Sequence, residues 1–135
     1  MIKAKQRIAL TTIVVNNYDE AIAFFVDKLG FKLLEDTFLE SQNKRWVVVA
    51  PDGSSGSSML LAKASNSQEV NAVGNQTGGR VAFFLHTDDF WRDYDAYRSR
   101  GIKFIRDPVE QAYGTVAVFE DISGNMWDLL EPKQG

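Results

Sequence analysis

The chain has 135 residues, 44% of them apolar, no cysteine, a single histidine and a formal charge of −3. This is enough for one globular domain with a real core, spanning residues 1–135, and too little for two ordinary ones. The composition excludes disulfides, thiolate metal sites, a cysteine nucleophile and any site needing two imidazoles from one chain; the scattered Lys and Arg leave no basic face for a nucleic-acid partner.

Met1 to Arg7 is basic, but the apolar run after it leads into Asn16-Asn17-Tyr18 rather than a small-residue cleavage site. Neither a signal peptide nor a membrane partner is expected, and the protein is expected in the cytoplasm. Ile8 to Val15, rich in β-branched residues, predicts a strand. Asn17 is a good N-cap with Glu20 three residues on, and Gly30 can close the helix; Tyr18, Ala21, Ile22, Phe25 and Leu29 supply its apolar stripe. Strands follow at Phe31 to Phe38, Arg45 to Ala50 and Ser58 to Ala62, so residues 8–63 read as a βαβββ module. The serine-rich stretch from Gly53 to Ser58 is expected to be a hairpin tip, at most a mobile flap. It lacks the lysine and following helix of a phosphate-binding loop.

Residues 64–79 are polar and Asn/Ser/Gln/Gly-rich, and read as a solvated linker. The pattern then restarts over 80–132. Val81 to Thr87 is a strand, Asp88-Asp89 offers a cap, and Phe90, Trp91, Tyr94 and Tyr97 stripe a helix ending at Gly101. Strands are predicted at Ile102 to Arg106, Thr115 to Glu120 and Met126 to Glu131, with a turn at Ser123-Gly124-Asn125. Trp91, Tyr94, Tyr97 and Trp127 are expected in the core between helix and sheet. Asp88, Asp89, Asp93 and Asp95 suit a helix start and read as structural.

Two such modules in tandem resemble the vicinal oxygen chelate superfamily, the glyoxalase, bleomycin-resistance and extradiol-dioxygenase group. The resemblance rests on Val14 to Phe25 running into Leu29-Gly30-Phe31, and on Gly114 followed by Phe119-Glu120-Asp121-Ile122-Ser123-Gly124-Asn125-Met126-Trp127-Asp128-Leu129. It implies an α+β fold in which two βαβββ modules form a curled mixed sheet around a cavity, and a homodimer. In the metal-using members, four strand positions carry His, Glu, His and Glu. The corresponding residues here are Leu10, Leu60, Ala82 and Asp128. Three are aliphatic, so no metal and no cofactor are expected, and glyoxalase I activity is expected to be absent.

Strand alternation from these anchors places Leu10, Thr12, Leu60, Ala82, Phe84, His86 and Asp128 toward the cavity, with Val14, Ala62, Met126 and Leu130, and Trp46 and Val48 as further lining. Tyr113, before the strand at Gly114, is a candidate ligand contact. The pocket so composed suits a small hydrophobic or aromatic molecule, as in the drug-binding resistance members the chain resembles. The alternative is a metal-independent isomerase or lyase using His86 or Asp128 as acid or base.

Overall fold

The computed structural model describes residues 4–53 and 56–134; Ser54 and Ser55, in the predicted hairpin tip, lie outside them. The chain divides into two compact units, Met1–Ser65 and Asn66–Gly135. Among the described residues no helix is long and apolar enough to cross a membrane.

The first unit runs β1 (Leu10–Val15), α1 (Tyr18–Ile22), a π-helical turn (Ala23–Lys28), β2 (Lys32–Leu39), a 3₁₀ turn (Glu40–Gln42), β3 (Lys44–Ala50) and β4 (Ser58–Lys63). Its sheet has the order β1-β4-β3-β2, with β1 and β4 parallel and the other pairs antiparallel. Asn17 caps α1 by accepting from the Glu20 amide at 2.9 Å. The predicted single helix becomes π-helical after Ile22, with Leu29 N donating to Phe24 O. The wider turn lets both Phe24 and Phe25 be buried, packed edge to face at 5.3 Å, whereas the helical stripe included only Phe25. Ile13, Leu61 and Val47, neighbours across β1, β4 and β3, are fully buried on the face that α1 packs against.

The second unit contains α2 (Ser67–Ala72), β5 (Val81–His86), α3 (Phe90–Ser99), β6 (Phe104–Gln111), β7 (Gly114–Glu120) and β8 (Met126–Pro132). The sheet order, β5-β8-β7-β6, repeats that of the first unit. Phe83, Trp127, Phe119 and Phe104 form one aromatic row across it. Tyr97 packs on Phe119 and Tyr94 on Phe104, so this row is the face under α3. Asp89 caps α3 through the Arg92 amide, and Glu131 of β8 accepts from Phe90 N at 2.7 Å.

Two expectations change. The 64–79 stretch is not simply solvated linker: it carries α2, capped by Asn66, and the backbone at Gly74 lies so close to Ser123 that a Cβ there would sit 2.1 Å from its carbonyl oxygen. Trp91, expected in the core, is 52% exposed, because the buried side of α3 is filled by Phe90, Tyr94 and Tyr97.

Candidate functional site

Each sheet has a second face, turned away from its helix, and strand register decides what lies on it. In the first unit Thr12, Leu60, Val48 and Glu35 are successive neighbours across the four strands, one residue out of phase with the buried row of Ile13, Leu61 and Val47. Leu10, opposite Ser58, precedes Thr12 by two residues, and Trp46 precedes Val48 by two, so both share that face. Leu10, Thr12, Trp46 and Leu60 are thus brought to one largely apolar surface.

In the second unit the corresponding row is Phe84, Asp128, Val118 and Arg106. A pocket of about 430 Å³ opens there, lined by Arg80, Val81, Phe84, Arg106, Met126 and Asp128 together with Gly79. Phe84 is 64% exposed, unusual for a phenylalanine in a strand. Partial burial raises the Asp128 carboxyl above its ordinary value, while the positive charge of Arg106 acts in the opposite direction.

Three of the predicted contacts are placed differently. Ala82 falls at a register shift between Val81 and Phe83, so Val81 takes the place opposite Met126 and lines the pocket instead. His86 pairs with Leu130, one row beyond Asp128 toward the end of β5, and is not part of the pocket wall. Tyr113 is exposed before β7; its neighbour Gly114 lies opposite Pro132, four residues along β8 from Asp128, or about 13 Å at the usual strand rise.

Arg106 was not legible from alternation. Phe104 pairs with Phe119 and Arg106 with Val118, so Ile105 is an extra residue in β6 that turns Arg106 to the face opposite Phe104. Arg80 precedes β5 and carried no periodic signal.

The turn before β8 fixes where Asp128 points. The buried Asp121 carboxylate accepts from the amides of Ser123, Gly124 and Asn125 at 2.9–3.0 Å, from Asn125 Nδ2 at 3.2 Å and from Trp127 Nε1 at 3.0 Å. Held in this way, Trp127 faces the helix and its neighbour Asp128 faces the pocket.

A second concavity, about 480 Å³, lies in the first unit beside Tyr18, Phe38, Lys44, Arg45 and Lys63. Its Arg45 is already engaged. The guanidinium forms a two-point pair with Asp36, contacts Asp19 at 2.9 Å and lies 5.1 Å from the Tyr18 ring centre.

A family model described as the Glyoxalase/Bleomycin resistance protein/Dioxygenase superfamily matches residues 7–129. The chain belongs to this superfamily. A relative described as an uncharacterized protein from Shewanella frigidimarina (strain NCIMB 400) is 61% identical over 127 residues, 94% of each chain. The crystal structure of UcmS2 is similar with a TM-score of 0.82 at 29% identity, over 95% of this chain and 99% of that one. TnmS3, an antibiotic binding protein from Streptomyces sp. CB03234, is similar with a TM-score of 0.79 at 27% identity, over 98% and 100%.

The superfamily's metal chemistry needs several donors, and the residues present do not fit it. At the strand positions that the resemblance assigns to the ligands, Leu10, Leu60 and Ala82 carry no donor side chain, and the charge acting on Asp128 is the Arg106 guanidinium. Among the described residues no group of three or more His, Cys, Asp or Glu side chains is placed to share an ion.

Proposed function

We propose that this protein is a metal-independent member of its superfamily that binds a small hydrophobic or aromatic molecule, in a sequestering role, on the sheet faces turned away from the helices. The observation that carries this is the Phe84 pocket. An exposed aromatic ring, Val81 and Met126 supply apolar surface, and Asp128 with the lining arginines Arg80 and Arg106 supplies polar character for orientation. Its volume falls within the range of small-molecule sites. Similarity to TnmS3, described as antibiotic binding, supports the same reading.

Sequestration requires affinity and no reacting group, so the separation of His86 from the Asp128 pocket is no obstacle to it. We further propose that the chain acts as one cytoplasmic domain in a homodimer, for which light scattering in solution is the direct measurement.

The ligand proposal is tested by thermal-shift screening against planar aromatics, glycopeptide antibiotics and hydrophobic metabolites. A ligand at a hundred times its Kd adds about 2.7 kcal/mol of apparent stability, a readily measured rise in Tm. Phe84→Ala is expected to abolish that rise, and a rise unchanged in this variant would place the ligand elsewhere. Stoichiometric, tight uptake of nickel or zinc by the metal-stripped protein would overturn the metal-independent assignment.

A further inference from the structure

The charge around the Phe84 pocket narrows the ligand class. Arg80 and Arg106 both line it, and neither is in an ion pair among the described residues. Asp128 is the one carboxylate in the lining, leaving an excess of one positive charge on a protein whose net charge is −3. Glu120, opposite Met126 on β7, is outside the lining. Two other guanidinium groups are occupied by carboxylates: Arg45 holds Asp36 and Asp19, and Arg92 holds Asp88 and Asp93.

Guanidinium is the side chain best matched to a planar oxyanion, because its parallel N–H groups meet both carboxylate oxygens and it is more weakly hydrated than ammonium. Here two arginines line a pocket with an exposed phenyl ring, whose face suits another planar ring, and the Arg106 charge acts on Asp128 within it. The register explains why Arg106 faces this surface: the extra residue Ile105 turns it there.

Granted the binding function proposed above, we infer that the ligand is an aromatic acid, a one- or two-ring planar molecule bearing a carboxylate or similar oxyanion, with its ring on Phe84 and its anion between Arg80 and Arg106. The pocket volume, about 430 Å³, suits this size. Asp128 then faces the ligand's edge, where it accepts from a hydroxyl or amine donor and disfavours a second anionic group.

The test compares 2-naphthoate with its neutral isostere 2-naphthamide by calorimetry and by amide chemical-shift mapping. The acid is expected to bind at least about tenfold more tightly, the scale of one charge-assisted hydrogen bond. Its shifts should cluster at residues 80–84, 106 and 126–128, and its affinity should fall with added salt. Arg106→Gln, at an exposed position, should remove most of the preference, Arg80→Gln part of it, and Phe84→Ala should weaken both probes alike.

Equal binding of acid and amide, each lost in Phe84→Ala, overturns the ligand class and leaves the pocket reading intact. A preference for the acid that survives both arginine substitutions also overturns it. No binding of either probe at millimolar concentration overturns it too, and the pocket reading is then decided by the broader thermal-shift screen.

Discussion

Removal of the Asp121 carboxylate tests how the pocket is built. Asp121→Ala deletes the acceptor of five hydrogen bonds, two of them from the side chains of Asn125 and Trp127, residues only 3% and 2% exposed. Each buried donor that loses a charged acceptor costs about 1–3 kcal/mol. The turn amides regain part of their loss from water, so the expected total is about 3–5 kcal/mol. With an unfolding entropy of roughly 2.1 cal/mol/K per residue over 135 residues, Tm should fall by roughly 10–18 °C. Asp121→Asn keeps an oxygen for the backbone amides but presents an amide donor to Nε1 of Trp127, so its loss should be smaller. Urea denaturation followed by tryptophan fluorescence measures both variants. A loss below about 1 kcal/mol for Asp121→Ala would show that the turn does not depend on this carboxylate.

Other perturbations follow from the same geometry. At Gly114 (φ +153°) an added Cβ would lie 2.2 Å from the Glu131 carbonyl oxygen, whereas at Gly30 (φ +79°) it would meet nothing within 4 Å; Gly114→Ala should cost on the order of 3 kcal/mol and Gly30→Ala about 1, as read by chemical denaturation. Asp128 holds its proton more tightly folded than unfolded, so its contribution to stability is full at acid pH and is lost as pH rises through its raised value. Asp128→Asn should therefore match the parent protein at acid pH and exceed it in Tm at pH 7, and a lower Tm at pH 7 would contradict the assignment. Asp36 behaves oppositely: hydrogen bonding to Arg45 lowers its value, so its contribution is present at neutral pH and lost as pH falls through that lowered value. Arg45→Gln should cost about 1 kcal/mol at pH 7, since the pair is partly solvated, and the gap to the parent should narrow below about pH 4 in a pH series of melting curves.

Elements fixed by local chemistry were legible in the sequence. Asn17 and Asp89 cap their helices as their side chains predict, and the alternation of Leu10, Thr12 and Leu60 carries through to the register. What alternation missed lies at irregularities. One extra residue at Ala82 and another at Ile105 exchange faces locally, so Val81 takes the place expected of Ala82 and Arg106 joins the lining. Such shifts depend on how neighbouring strands twist and pack, which a single strand's pattern does not contain. The π-helical turn was hidden for a similar reason, since Phe24 and Phe25 are both drawn inward by the sheet rather than by helical spacing. Arg80, in the segment leading into β5, follows no period at all.

The repeated sheet order allows chemistry to be confined to one copy of the topology. At equivalent places the first unit has Thr12, Leu60, Val48 and Glu35, and the second has Phe84, Asp128, Val118 and Arg106. The same scaffold position is a leucine in one copy and a carboxylate in the other, and each sheet pairs its own first and last strands in parallel. Under the binding function proposed above, specificity can therefore be rewritten in one half while the other keeps its apolar surface, and transplanting the Phe84 and Asp128 pair onto Thr12 and Leu60 becomes a way to build a second pocket into the same chain.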